Sequence, residues 1–228
     1  MTEVSSPNID ARIEFLRLIS GRRSASGTFT AQPISSENLT LILECGLSAP
    51  SSKNATPWRL HVVAASSVLC EIADVVELTP GADRYAPSDP STGQLRHWPS
   101  SVTESANFLR HAAAAIFIEN RGAFSNGRQA LVDAPPARLP DALVGYTFEV
   151  LGLGAAIQNM LLAASALGVQ GRFMGDIVLA EDYIKTRLNI ETDLVGVVVL
   201  GYSNVSLPPR PVDTENGTHV VWHNDADL

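Results

Sequence analysis

Apolar positions along the chain change period several times, and each change marks an element. Ile9, Ile13, Leu16 and Ile19 recur at three and four residues, predicting a helix capped by Asn8 or Asp10 and ending near Gly21. Ser35 and Ser36 precede Leu39, Ile42, Leu43 and Leu47 on one face of a second helix, with Ile34 as a staple and Pro50 as the stop. "WRLHVVA" (58–64) reads as a strand, 68–78 and 104–110 as short helices, and "AAAAIFIE" (112–119) as a buried strand. Residues 141–167 form the longest apolar-rich segment, interrupted by Gly152 and Gly154. Its Glu149, Gln158 and Asn159 make it a core helix rather than a membrane span. Residues 180–188 predict a helix, "LVGVVVLGY" (194–202) a central strand, and "THVVW" (218–222) an edge strand.

Between these elements lie two irregular excursions, 79–103 and 121–140, and residues 1–7 read as disordered. Tyr85, His97 and Trp98 in the first excursion are candidates to line a site. With no repeats and no linker, the chain is expected to be a single domain over 1–228, or one subunit of an intertwined oligomer, of α/β or α+β class. Composition agrees: 228 residues with 45% hydrophobic and 18% charged content suffice for a sizeable core. A net charge of −8 argues against nucleic acid and anionic membranes as partners. Cys45 and Cys70 fall in helical patterns and read as small core residues. The first thirty residues lack a signal-type apolar block, so a reducing cytoplasm is expected.

Three stretches carry candidate chemistry. "GRRSASGTF" (21–29) follows a helix with two arginines, which suit either a helix C-terminus or an anion held by guanidinium and hydroxyl groups. "APSSKNATPW" (49–58) concentrates small hydrogen-bonding groups on one connection, either a satisfied turn or a cradle for a polar ligand. "PPRPV" (208–212) holds Arg210 on a stiff loop. "GLGAA" (152–156) lies inside a helical pattern and reads as close packing, not a dinucleotide fingerprint. The five histidines show no metal-ligand spacing, and no nucleophile elbow or P-loop occurs, so no metal is expected.

In this order, "RRSASGTF", "ILECGLSAPSSKNATPWRLHVV", "GLGAAIQNMLLAASALGVQGRFMGDI" and "VGVVVLGYSNVSLPPRPV" resemble the blocks of the FMN-dependent nitroreductase family. The resemblance spans about residues 12–223. It implies an α+β fold with a small mixed, mainly antiparallel sheet surrounded by helices, an intertwined homodimer, and FMN at the subunit interface. On it, Arg22, Arg23, Ser24 and Ser26 approach the flavin and its phosphate from one subunit, with Arg210 on the phosphate. Pro50, Ser51, Ser52 and Asn54 come from the other subunit. Met174, Gly175 and Asp176 match the turn whose backbone N–H faces flavin N5, and Asn107 and Arg110 match an Asn-x-x-Lys pair beside the pyrimidine.

The implied reaction is ping-pong hydride transfer from NAD(P)H through the flavin to a small planar acceptor such as a nitroaromatic or quinone. The protein supplies position and field, and no catalytic side chain is required. The alternatives are a biosynthetic flavin dehydrogenase or oxidase that desaturates a substrate and uses oxygen, and a non-catalytic flavin- or partner-binding protein. Three departures bear on these. Ser26 stands where the family usually has Arg or Lys, Thr56 where it has Gln, and Asp176 where it has a second Gly. A cation about 4 Å from reduced flavin is worth roughly 4 kcal/mol at an effective dielectric near 20. The loss at Ser26 therefore bears on the reduction potential.

Overall fold

The computed structural model describes residues 9–82, 100–205 and 207–209. By its contacts the chain divides into two units, residues 1–23 with 207–228, and residues 24–206. In the first, α1 spans Ile9–Gly21. Arg22 N–H continues its ladder to the Leu18 carbonyl at 3.0 Å, and Arg23 Nη1 donates to the Pro208 carbonyl at 2.5 Å. Residues 1–7, Tyr85, His97, Trp98, Arg210 and the 218–222 strand lie outside the described residues.

The second unit is α+β. In chain order it contains α2 (Ser36–Leu47), β1 (Trp58–Val63), α3 (Ser66–Leu78), α4 (Ser101–His111), β2 (Ala114–Asn120) and α5 (Arg128–Val132). There follow α6 (Leu139–Ala166), β3 (Gln170–Met174), α7 (Glu181–Leu188) and β4 (Asp193–Gly201). The strands form one antiparallel sheet in the order β1-β2-β4-β3.

The apolar runs in β2 and β4 follow from burial on both sheet faces. Phe117, Val197 and Val199 join a core with Leu69, Val102, Leu109 and Ile184, from the α3, α4 and α7 side. Ile116, Ile118, Val198 and Leu200 point the other way, against Ile42, Leu153 and Met160 of α2 and α6. Gly196 pairs with Ile118 next to a bulge at Val195 of β4, with φ +155°, and a Cβ there would meet the Met174 carbonyl oxygen at 2.7 Å. The close approach of β3 to β4 depends on that missing atom.

Local signals explain most boundaries. Ser35 caps α2 by accepting from Asn38 N–H at 3.1 Å, and Asn189 ends α7 in the left-handed conformation. Several elements differ from the sequence expectation. The strand β3 went unpredicted, and the 121–140 excursion contains α5 and the first two residues of α6. The glycines do not interrupt α6: Gly152 packs against Ser51 and Pro57, whereas among the described residues nothing would meet a Cβ on Gly154. Cys45 is exposed rather than a core residue, because it lies on the outer side of α2 while Ile42 and Gly46 face inward.

Polar groups buried near the sheet are held by hydrogen bonds. Glu119 is 1% exposed. Burial raises its pKa, but His61 at 2.8 Å, the Thr192 hydroxyl and the Thr192 and Glu191 N–H groups outweigh this and bring it down to about 2. A depressed carboxylate stabilises the fold above its unfolded pKa and loses that contribution as pH falls toward the folded value. The contribution at neutral pH is on the order of 3 kcal/mol. Glu119→Gln is therefore expected to be less stable than wild type at pH 7, with the gap narrowing steadily between pH 4.5 and about 2. Urea denaturation at several pH values checks this; a pH-independent gap would contradict it.

Candidate active site

The register directs the end of β3 toward the end of the sheet where β4 and β1 begin: Met174 pairs with Val197, four residues inside β4, while Asp193 pairs with Asn120 and Asn120 with Trp58. At this end of the sheet the chain leaves β3 through Met174, Gly175 and Asp176. Met174 is buried, Gly175 is in the right-handed helical region, and Asp176 opens a short 3-10 turn to Ala180. The Ser105 hydroxyl of α4 donates to the Asp176 carboxylate at 2.8 Å, so helix and turn are tied directly.

Ser24 and Ser26 run beside the outer edge of β3. Ala25 between them is buried, and its N–H donates to the Gly171 carbonyl at 3.0 Å. The Ser203 hydroxyl donates to the Ser26 carbonyl at 3.4 Å, and Gln170 Nε2 donates to the Val205 carbonyl at 3.0 Å. The exposed edge of β3 is thus partly satisfied by the segment containing the serines. Arg22 precedes them in sequence, and its Nη1 is buried with no hydrogen-bond partner among the described residues.

The stretch 49–58 is a strained loop. Lys53, Asn54 and Thr56 all have positive φ (50°, 55° and 43°), and the β-branched Thr56 is the costliest of these. Ser51 spends its hydroxyl inside the loop, accepting from Thr56 N–H at 3.0 Å. The Ser52 and Asn54 side chains have no hydrogen-bond partner among the described residues. Pro50, Ser51 and Ser52 line a shallow cavity of about 250 Å³ together with Phe148, Leu151, Gly152 and Ala155 of α6. The loop and the Gly175 turn emerge at the same end of the sheet but from opposite edge strands. Three strand spacings separate those edges, about 14 Å.

Asn107 and Arg110 are placed differently from one another. Asn107 shares an exposed face of α4 with Glu104 and His111, by the three- and four-residue spacing. Arg110 turns toward α3, with its guanidinium 2.6 Å from Asp74 and 2.9 Å from Glu77. Those hydrogen bonds, with Asp74 first, raise its pKa. It lines a second cavity, of about 450 Å³, with Pro33, Ala64, Ser66 and Ala113, at the other end of the sheet from Gly175. The structure does not bring Arg110 together with the Gly175 turn.

Sequence reasoning passed over another arginine. Arg172 of β3 makes a two-pronged ion pair with Glu104, at 2.7 and 3.1 Å, and lies 4.8 Å from the centre of the Phe108 ring. Its pattern carried no motif, and only the pairing of β3 reveals where it lies. Buried carboxylates that sequence reasoning also missed anchor the segment after β2. Burial raises the Glu149 pKa, but hydrogen bonds from Asn120, Phe124 N–H, Ser125 N–H and the Ser125 hydroxyl lower it overall. Arg128 bridges Glu181 at 2.6 Å and Asp193 at 3.6 Å.

Comparison with known proteins matches this arrangement to a family. The model of the "Nitroreductase family" matches residues 19–202. The chain is 28% identical over 203 residues to a nitrobenzene nitroreductase of Ectopseudomonas oleovorans, covering 84% of this chain and 87% of that one. Among solved structures, a nitroreductase with bound FMN from Desulfitobacterium hafniense superposes with a TM-score of 0.62 at 23% identity, covering 91% of this chain and 98% of that one. An NADPH:FMN oxidoreductase from Vibrio harveyi complexed with NAD+ gives 0.61 at 19% identity, covering 93% and 76%. These likenesses carry the fold, and the family model carries the assignment: the chain belongs to the nitroreductase family.

Proposed function

We propose that the protein is a homodimer that binds FMN at two shared sites and passes hydride from NAD(P)H to a small planar acceptor, such as a nitroaromatic or quinone. The observation that carries this is the placement of two half-sites on the two opposite edge strands of the sheet. The Ser24–Ser26 segment and the Met174–Asp176 turn lie along β3, and the Pro50–Asn54 loop lies at the β1 edge. One chain holds them at least about 14 Å apart, so a second copy is the natural source of the complementary half.

The residues present fit FMN. Arg22 Nη1, buried and without a partner among the described residues, is a donor that a phosphate would satisfy, and the resemblance adds Arg23, Ser24 and Arg210 to it. Ser52 and Asn54 keep side-chain groups available for polar ligand atoms. When bound, FMN supplies the hydride chemistry. The chain's part is to fix the backbone of Gly175 and Asp176, which Ser105 does through the Asp176 carboxylate. The relative named for nitrobenzene and the NADPH:FMN oxidoreductase support the acceptor and donor classes. A cytoplasmic setting suits a supply of NAD(P)H.

Apolar exposure supports the dimer. Leu143, Val144, Phe148 and Leu151 form a stripe on α6, with Leu151 66% exposed, and Leu47 of α2 is 53% exposed. A second copy covering this stripe would also bring its own Pro50–Asn54 loop, which packs on the same helix.

Purified protein is expected to be yellow, with about one FMN per subunit, and to bleach under anaerobic NADH or NADPH. Colourless protein that takes up no added FMN would contradict the proposal, whereas flavin that stays oxidised would favour the dehydrogenase or oxidase role. Arg22→Ala should weaken FMN binding at least tenfold, measured by fluorescence titration; unchanged affinity removes Arg22 from the site. Leu151→Glu should give a monomer that retains little flavin, and light scattering with flavin quantitation checks both. A flavin-loaded Leu151→Glu dimer would refute the α6 interface.

A further inference from the structure

We propose that Arg172 is the fixed cation that favours reduced FMN in this protein, and that Glu104 sets how much of its charge acts. This rests on the FMN reading above. Of the two cations that the resemblance puts beside the flavin ring, one is replaced by the neutral Ser26, and the other, Arg110, is bound to Asp74 and Glu77 on the α3 side of α4. Arg172 stands where they do not. It follows Gly171, whose carbonyl accepts the Ala25 N–H between the two serines, and it precedes Met174 by two residues. A Cβ on Gly171 would point at Leu161 and Leu200. Strand alternation therefore turns Arg172 to the opposite sheet face, toward α4, where Phe108 and Glu104 hold it.

One turn of α4 grips both parts of the site. Glu104 takes the Arg172 guanidinium in a fork, and its neighbour Ser105 takes the Asp176 carboxylate. The Arg172 side chain is 26% exposed and the Glu104 side chain 44%. The cation is therefore the more desolvated member of the pair, and its partner the better screened. Two-electron reduction adds negative charge to a bound flavin, so a fixed positive charge tightens the reduced form more than the oxidised form, and a neighbouring carboxylate subtracts from that effect. Glu104 and Arg172 thus form an adjustable pair rather than a bare cation, unlike a lysine or arginine at position 26.

The test is a potentiometric titration of the flavin-loaded protein, with FMN affinity measured separately in both redox states. Arg172→Met is expected to lower the ratio of reduced to oxidised FMN affinity about tenfold, which is a two-electron potential lower by about 30 mV. Arg172→Lys should stay within about threefold of wild type, because the charge remains. Glu104→Gln should move the ratio upward, opposite to Arg172→Met. A purely structural pair would not give opposite signs for its two members. Wild-type potential in a yellow Arg172→Met protein, or a downward shift in Glu104→Gln, overturns the inference and leaves the FMN reading intact. Should Arg172→Met fail to fold, Arg172→Lys and Glu104→Gln decide: a Lys variant shifted tenfold, or a Gln variant that does not rise, overturns it. Wild-type protein that binds no FMN overturns both readings, and flavin content shows this before any titration.

Discussion

The β2–β4 pair is apolar on both faces, and the rest of the second unit answers to that constraint. Two helical layers each need an uninterrupted surface to pack on, so Ile116, Phe117, Val197 and Val198 leave no place for a polar side chain in mid-strand. Polar groups therefore collect where the strands end. Glu119 and Asn120 close β2, and Asp193 opens β4. Each of these residues binds backbone outside the sheet: Glu119 holds residues 191–192, Asn120 holds Gly122, and Asp193 holds Arg128. The dry middle of the sheet thus obliges a wet, hydrogen-bonded end, and the Pro50–Asn54 loop and the Met174–Asp176 turn are directed toward that end.

On the proposed reading, the part of the site beside the flavin ring is assembled from small residues and backbone, with the charges of β3 and α4 set back from it. Ser24, Ser26 and Gly175 present little bulk, while Arg172, Glu104 and Ser105 stand behind them on β3 and α4. Such a division suits a cofactor that does its own chemistry, because the protein must leave room for it and still impose a field. Thr56 shows the cost on the other half-site. A β-branched residue in the left-handed region persists only where its surroundings enforce it, and here Ser51 binds its N–H while Gly152 lets the loop lie close to α6.

Much of this was legible in the sequence where one physical rule acts alone. The cap at Ser35, the stop at Pro50 and the twofold-buried run of β4 each reflect a local constraint, and the structure shows them there. The four family blocks were legible because their order is as informative as their content. β3 was not, since "QGRFM" is short, has no clean alternation and owes its strand character to pairing with β4. Asn107 and Arg110 show a second limit. The family resemblance gave them one shared role, but an exposed helix face and an α3-facing carboxylate pair divide them. Arg172 shows the converse, because its importance comes from contacts with residues 68 positions away in the chain. Cys45 looked internal because helical periodicity alone cannot say which flank of α2 is covered.

The width of the sheet has a genetic corollary. On the proposed assembly, each flavin pocket draws the half-site along β3 from one chain, with the phosphate arginines that the resemblance adds to it, and its loop from the other, because the sheet holds its two edge strands apart. Two inactive alleles, one damaged at Arg22 and one at Asn54, would then pair into a mixed dimer carrying both lesions in one pocket and neither in the other. Cells holding both alleles would recover up to half of a normal dimer's capacity per mixed molecule, whereas two lesions in the same half-site could not rescue each other. A loop too far from its own turn thus becomes a means by which separate gene copies share one working site.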